Sequence, residues 1–368
     1  MESNKFENWI FNSYSPTGEG LGLYRIFAAL LFLVFLLPDF GFYSTLNAMP
    51  DDLFTPPPGP MMLFDSFPPE IFLQSVHVLL VISWIGVLVG FKTKWSSIAA
   101  GISMLVLQGF MFSLGKINHE LLLSVTPIVM AFSNWGTKFS VDERLNKDAA
   151  EVQGWPLVLL ALFIGFMMFT AGFPKILGGW LDPSTQATRG HLFNQFFLRE
   201  RQELLAEFAV RFDVAFVWEF LDWATIIFEV GFLVAVWKAG WTRLFVCFAA
   251  IFHFSTMMTL NIAFLPNFLA YAAFVKWEKV YRIICGDENE SIAESDGRKR
   301  IWSSVAIVAL FFIVLRILSD LGYVMTPREP SFYELVLLSI AVLIVVGVAI
   351  NVAWRKAQES QAVSVRRS

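Results

Sequence analysis

Long apolar runs separated by polar connections follow one another along the chain. A helix that crosses a bilayer takes about 20 mainly apolar residues, and ten runs approach or reach that length. They are residues 21–38, 71–90, 97–114, 119–134, 156–174, 217–237, 242–260, 262–276, 301–319 and 333–353. The eighth is short and contains Pro266, which lacks a backbone donor, so a tilted or re-entrant segment is an alternative there. The pattern predicts an all-α fold, a polytopic membrane helix bundle of about ten transmembrane helices without a soluble domain.

The polar stretches divide the chain into five regions. Residues 1–20 are predicted to form an amphipathic N-terminal segment, and residues 21–280 the main transmembrane domain. Residues 281–300, which are rich in Asp and Glu, are predicted to form a cytoplasmic linker. Residues 301–354 then provide two additional transmembrane helices, and the polar residues 355–368 are predicted to be a disordered tail.

Lysine and arginine are unevenly distributed between the two sides of the predicted bundle. If ten spans alternate strictly, 18 of the 27 Lys and Arg residues fall on the side of both termini and 7 on the other. Because cytoplasmic loops carry the excess of positive charge, both termini are predicted to be cytoplasmic, in the inner membrane if the source is bacterial. Arg25 and Arg316 fall near the ends of spans, where their side chains can extend to the interface.

Two connections on the outer side are unusually long. The first, residues 39–70, contains seven of the 16 prolines, so it cannot be a regular helix and is expected to lie over the mouth of the bundle. The second includes residues 191–212, where Phe and Leu recur at helical spacing opposite charged side chains. This spacing predicts an interfacial helix, and an ordinary amphipathic surface helix is an equal alternative.

Composition excludes several classes of function. Hydrophobic residues make up 56% of the chain and charged residues 16%, against about 25% charged in soluble proteins. The net charge of −4 and the lack of a long basic run exclude a surface for nucleic acid. The two cysteines form no CxxC pair, and the sequence has no HExxH, GxSxG or phosphate-loop motif. No metal site is predicted.

A small set of titratable side chains falls inside the predicted spans, where such groups mark function or internal pairing. The set consists of His77, His119, Lys175, Asp222, Glu229 and His253. Span direction puts most of them in the outer half of the membrane, with Glu229 and His253 nearer the middle. Each histidine alone is also explained as an ordinary hydrogen-bonded residue of the bundle.

Asp222 and Glu229 are expected on one face of a helix. Seven residues at about 100° each leave them within roughly 20° of each other. Carboxylates on this face could pair with Lys175 or orient a histidine. For Asp222, solvation at the aqueous end of the helix is an equal alternative, whereas burial is favoured for Glu229.

Three separated stretches resemble one family. They are FTAGFPKILGGW at 169–180, NHELLLS at 118–124, and the stretch from Phe228 to Phe254, and Tyr24-Arg25-Ile26 also fits. In this order they resemble the horizontally transferred transmembrane (HTTM) domain family, which is related to the membrane part of vitamin K-dependent gamma-carboxylase. The resemblance covers roughly residues 5 to 280, so residues 21–280 are interpreted as an HTTM-like domain.

The resemblance implies roles for individual residues. Lys175 matches the family's catalytic lysine, and Asn118 and His119 match its active-site pair. Trp180, Glu229 and His253 match further positions and are the candidates for binding a cofactor.

A reduced quinone of the vitamin K type is the implied cofactor. The resemblance implies that the lysine deprotonates a reduced naphthoquinone, and that reaction with oxygen then yields a base strong enough for a carbon acid, as in lyase-type carboxylation. Burial favours the neutral amine that such a base requires. Departures from the carboxylase include Thr256, Met258 and Pro174, and the chain continues into two hydrophobic spans instead of a large luminal domain. Protein glutamate carboxylation is therefore not carried over, and the protein substrate stays open.

Two hypotheses follow. The first is a quinol-dependent oxygenase or carboxylase-type membrane enzyme with Lys175 and His119 at its centre, whose partners are the bilayer and a lipophilic small molecule. The second is a non-catalytic binder or carrier that uses the same polar groups for recognition or proton coupling. The sequence shows no inverted repeat of the kind found in many secondary transporters.

Overall fold

The computed structural model describes residues 5–115, 119–145, 150–286, 294–320 and 330–367. Within these ranges the protein is all-helical, and α-helices account for nearly all regular structure. The helices are α1 Lys5–Asn12, α2 Gly18–Leu31, α3 Phe42–Asn47, α4 Glu70–Val89, α5 Thr93–Phe112, α6 Leu122–Met130, α7 Val141–Leu145, α8 Trp155–Leu177, α9 Ala187–Phe193, α10 Ala206–Arg211, α11 Ala215–Ala235, α12 Ala239–Leu260, α13 Leu265–Tyr271, α14 Trp277–Cys285, α15 Glu294–Asp320 and α16 Phe332–Arg367.

Seven helical segments among the described residues are long and apolar enough to cross a membrane. They are Gly18–Leu36, Glu70–Val89, Thr93–Phe112, Trp155–Leu177, Ala239–Leu260, Asp296–Asp320 and Phe332–Val352. The predicted class, an all-helical multi-pass membrane protein, is confirmed, whereas the count of ten spans is not.

Three of the ten predicted spans differ from the others in length or polarity. The fourth is a 3₁₀ turn, His119–Leu121, followed by the nine-residue α6, which contains Pro127. The eighth consists of the seven-residue α13 and a short 3₁₀ helix, Ala272–Phe274. The sixth, α11, has 21 residues but carries three carboxylates.

The described structure falls into two compact units. Unit 1 comprises Met1–Thr170, Phe232–Thr242 and Pro266–Ile317, and unit 2 comprises Ala171–Gly231, Arg243–Leu265 and Leu318–Ser368. In unit 1, α2 packs against α4 and α14, and α5 packs between α4 and α6. The rings of Phe32 and Trp84 stack with centroids 4.4 Å apart, and Tyr24 donates a hydrogen bond of 2.9 Å to the Leu269 carbonyl.

Arg25 is enclosed in unit 1, so the prediction that its side chain extends to the interface is wrong. Its guanidinium has no exposed surface. It donates to the carbonyls of Val87, Leu88, Trp135, Lys138 and Phe139. These carbonyls supply the polar contacts that burial of a charge requires. Residues far apart in sequence are thereby tied to α2.

The first long connection has the predicted irregular structure. It contains α3 and two 3₁₀ helices, Asp51–Leu53 and Pro60–Leu63. It also covers the end of α5, because Thr55 donates a 2.7 Å backbone hydrogen bond to Ser113. The rings of Phe64 and Phe110 are 5.0 Å apart.

One other prediction of local structure is wrong. The single interfacial helix expected over residues 191–212 is broken into α9, a π-helical turn Asn194–Leu198, a loop, and α10. Helix α16 extends to Arg367, and the disorder expected for residues 355–368 stays a prediction. In unit 2, Leu192, Ala209 and Trp218 form a buried cluster that joins the broken segment to α11.

Candidate functional site at Lys175 and Glu229

An ion pair at the end of α8 lies at the centre of the candidate site. Lys175, in the last turn of α8, donates from Nζ to Oε1 and Oε2 of Glu229 on α11, at 2.5 and 2.6 Å. The two side chains differ in exposure, with 25% of the Lys175 side chain and 5% of the Glu229 side chain accessible. The amine is therefore reachable from outside, whereas the carboxylate is enclosed.

Gly172 allows the two helices to approach each other at this ion pair. It lies one turn before Lys175, and so on the same face of α8. A Cβ at Gly172 would lie 2.8 Å from Cβ of Glu229 and 3.1 Å from Cγ2 of Val230. Any larger residue would push α8 away from α11, so glycine determines the short separation that the ion pair needs.

The indole ring of Trp180 lies close to the Lys175 amine. The chain leaves α8 through Gly179, whose φ of 81° is in the left-handed region that favours glycine. The Trp180 amide then donates to the Lys175 carbonyl at 3.1 Å. This turn places the indole ring centroid 5.0 Å from Lys175 Nζ, within the range of a cation–π contact.

Asp222 has a different role from Glu229. Its side chain is fully buried, so the alternative that it is solvated at the aqueous end is wrong. Its two carboxylate oxygens accept from the backbone amides of Ala187 and Thr188 at 2.8 and 2.7 Å. A carboxylate at the first amides of a helix stabilises its start. Asp222 therefore fixes the beginning of α9.

His191 was not among the candidate residues predicted from the sequence. It lies on α9, in unit 2 with Lys175. His191 is exposed, but the protein atoms around it partly desolvate the ring and lower its pKa, and the positive charges of Lys175, Arg199 and Arg201 lower it further. Its only signal in the sequence is its position in the connection that follows Lys175, outside the predicted spans.

The other predicted site residues are placed as follows. Asn118 lies outside the described residues, and of His119 only the backbone is described, in unit 1. In unit 2, the His253 ring is buried with its centroid 4.4 Å from that of Phe264. In unit 1, His77 Nδ1 lies 2.6 Å from the Tyr43 hydroxyl, which is the ordinary hydrogen-bonded arrangement considered for a bundle histidine. Of the predicted set, the structure brings together Lys175, Glu229 and Trp180.

No cluster of three or more His, Cys, Asp or Glu side chains suitable for a metal ion occurs within the described part of the chain. The groups gathered at Lys175 are an amine, a carboxylate and an aromatic ring. These groups can hold a cation, exchange a proton, or contact a flat apolar molecule.

Fold and site together define a multi-pass, all-helical membrane protein with a Lys–Glu pair at the end of one helix. A profile of the HTTM domain matches residues 15–277, which is more than half of the 368 residues. The chain therefore belongs to the HTTM domain family, which is associated with vitamin K-dependent carboxylase-like membrane proteins. No curated protein and no solved structure gives a significant match.

Proposed function

We propose that this protein is a membrane enzyme that uses Lys175 as a general base on a lipophilic, reduced quinone of the vitamin K type. The observation that carries the proposal is the arrangement of the amine. Lys175 is held between a buried carboxylate and an indole ring and is itself partly exposed. A base must reach its substrate, and this geometry supports that role.

The surroundings of Lys175 fit a lipophilic ring. Phe173 and Leu177 flank it on α8 and are 44% and 75% exposed, so their apolar surfaces are accessible to a ligand. A ring that enters from the lipid can contact these side chains, with Trp180 as a further aromatic surface. When bound, a reduced quinone would supply an acidic hydroxyl group and two electrons.

Glu229 controls the protonation of Lys175. A lysine and a glutamate that share a short hydrogen bond interconvert between an ion pair and a neutral pair when one proton moves from Nζ to the carboxylate. Surroundings of low polarity destabilise the two charges of the ion pair, so the free energy of the ion pair comes closer to that of the neutral pair. In the neutral pair, Nζ has a free electron pair and can accept a proton from an acidic hydroxyl. Trp180 then stabilises the resulting ammonium.

His119 and Asn118 remain the predicted partners of Lys175, placed by the resemblance to the family. If His119 stabilises the oxygen that loses its proton to Lys175, the two residues contribute to the same catalytic step. Losses from such residues are non-additive. The double change His119→Ala with Lys175→Ala should then lower turnover little more than the more damaging single change. Losses that multiply as independent factors contradict the shared site.

The proposed topology has ten spans with both termini in the cytoplasm, in the inner membrane if the source is bacterial. The distribution of Lys and Arg supports it. The ten spans are then the seven long apolar helices, the two short helical segments of the fourth and eighth predicted spans, and the acidic α11. In this topology Lys175 is at the outer surface.

Oxygen consumption tests the proposed activity. The purified protein in nanodiscs receives a reduced naphthoquinone, and oxygen uptake and quinol oxidation are recorded for the wild type, Lys175→Ala and Lys238→Ala. Lys238 is the matched control because its Nζ lies 4.8 Å from the Trp241 ring centroid, and the described residues include no carboxylate bound to it. We expect uptake above the protein-free rate for the wild type and Lys238→Ala, and a loss of at least about 100-fold for Lys175→Ala.

Two results contradict the proposal. One is no uptake by the wild-type protein, and the other is an unchanged rate for Lys175→Ala. Either result favours the alternative of a binder or carrier. An ion pair inside a bundle also suits a carrier, in which a bound cation or proton would compete with the lysine for Glu229.

A further inference from the structure

The loop between the π-helical turn and α10 has an unusual backbone that the rest of unit 2 holds in place. Glu200 and Leu204 have φ of 54° and 56°, which non-glycine residues rarely adopt. Asn261 accepts from the Glu203 amide at 2.9 Å and donates to the Glu203 carbonyl at 3.0 Å. Leu205 donates to the Met258 carbonyl at 2.8 Å. A disfavoured conformation that is tied at several points is typical of a functional segment.

This loop presents two arginines that lack an acidic partner among the described residues. Arg199 is exposed and Arg201 is half-buried. Burial lowers the pKa of the Arg201 guanidinium, and so does the charge of Arg199. The other arginines of the same connection are paired, Arg189 with Asp213 and Arg211 with Glu207. Glu200 and Glu203 lie in the same loop, but in the part of the chain that the structure describes neither forms an ion pair with these two guanidinium groups, which therefore remain available to an anion.

A buried amide and a histidine complete this cluster. Gln195 is 5% exposed, and its Nε2 lies 3.5 Å from Nε2 of His191. Its Oε1 is buried and has no hydrogen-bond partner within the described structure. The Gln195 carbonyl accepts from the Arg201 amide at 3.0 Å, which fixes the distance between the loop and the π-helical turn. A buried amide oxygen without a partner is uncommon, and as an acceptor it can receive a hydrogen bond from a hydroxyl group but not from an oxyanion.

The side chains directly before the loop are apolar and exposed. Phe197 and Leu198, on the π-helical turn, are 60% and 76% exposed. In a membrane protein such side chains contact acyl chains. The cluster thus combines cationic and amide groups with an apolar surface only one or two residues away, as recognition of an amphiphile requires.

We propose that Arg199, Arg201 and His191 bind the oxyanion, a carboxylate or a phosphate, of an amphiphile in the outer leaflet, with Phe197 and Leu198 against its apolar chain. Arg199 and Arg201 donate to the oxyanion, His191 lies beside Gln195, and the amide oxygen of Gln195 can accept from a hydroxyl group of the headgroup. The site does not depend on catalysis by Lys175. It would serve a binder or carrier equally, so its test is a binding measurement.

Native mass spectrometry of detergent-released protein tests this site. Phosphatidylglycerol, phosphatidylcholine of the same acyl composition, or inorganic phosphate is titrated into the wild type, the double variant Arg199→Gln with Arg201→Gln, and the double variant Arg199→Lys with Arg201→Lys. Arg211→Gln is the matched control, since it removes one exposed arginine of the same connection that already has an acidic partner.

We expect the wild type and Arg211→Gln to bind phosphatidylglycerol at least about tenfold more tightly than phosphatidylcholine. The glutamine double variant should lose this preference and the lysine variant keep part of it, because lysine retains charge without the bidentate geometry. Competition by millimolar inorganic phosphate identifies a free anion as an equally good ligand, whereas no competition identifies the lipid headgroup. Equal binding of the two lipids by the wild type, or unchanged preference in the glutamine variant, overturns the proposal. The lysine variant decides the case if the glutamine variant does not fold.

Discussion

The ion pair between Lys175 and Glu229 should respond asymmetrically to the loss of either partner. Lys175→Met leaves a carboxylate that is 5% exposed without its partner, whereas Glu229→Gln leaves an ammonium that is 25% exposed. Removal of one partner from a buried pair costs about 3–5 kcal/mol. The lysine stem is long and flexible, so an orphaned ammonium can turn to the interface and keep its contact with Trp180. We expect about 1 kcal/mol for Glu229→Gln.

The difference of about 2 kcal/mol or more between the two variants is large enough to measure, because it changes the unfolding equilibrium by more than tenfold. Reversible unfolding in mixed micelles, followed by far-UV circular dichroism, gives the free energy of unfolding for each variant. Lys238→Met is the control for loss of a lysine over an indole ring. The double variant Lys175→Met with Glu229→Gln should be more stable than Lys175→Met alone, because it leaves no charge to bury.

Two outcomes would refute this reasoning. Equal losses for Lys175→Met and Glu229→Gln would mean that exposure does not decide the cost. Additive losses in the double variant would mean that the two side chains do not interact in the folded protein, since contacting residues are expected to couple by 0.5–3 kcal/mol, on the order of the single losses.

Three further predictions follow from other parts of the structure. Gly172→Ala should lower the free energy of unfolding by about 1–3 kcal/mol, because the added Cβ would overlap with α11. Gly190→Ala is the control, since a Cβ there has no atom within 4 Å, and unfolding measurements compare the two variants. The pKa of His191 in the folded state is lowered from 6.5, first by desolvation, so the folded state binds fewer protons than the unfolded state and stability falls as the pH drops below 6.5. His191→Gln should therefore weaken the dependence of the melting temperature on pH between about pH 7.5 and 5.5. An impermeant thiol reagent applied to intact cells should label a cysteine at Ser66 and not one at Ser295, and the reverse pattern contradicts the topology.

The main features of the site were predictable from the spacing of a few residues. A lysine at the end of one span and two carboxylates on one face of another indicated an ion pair with either carboxylate, and orientation of a histidine was the alternative. The choice between Asp222 and Glu229 was not predictable, because both face the same way on α11 and differ by about two turns, or ~10 Å, along its axis. Gly172 decides it, since α8 approaches α11 at the level of Glu229.

Other features depend on contacts that no local pattern encodes. The carbonyls around Arg25 come from segments more than 60 residues away in sequence, so its burial could not be inferred from its position in the span. The break in the segment 191–212 depends on positive φ at Glu200 and Leu204, and neither residue type favours that conformation. The spacing of Phe and Leu continues through the break, which is why a single helix was predicted.

One helix connects the amine site with the cluster of arginines. α11 uses Glu229 to hold Lys175 and, about two turns away, uses Asp222 to hold the first amides of α9. The position of α9 in turn sets His191, and through Gln195 the loop that carries Arg201. Because Asp222 and Glu229 lie within roughly 20° of each other, a rotation of α11 by one residue, about 100°, would break both sets of contacts together. The proposed base and the proposed oxyanion site therefore both depend on the rotational position of α11.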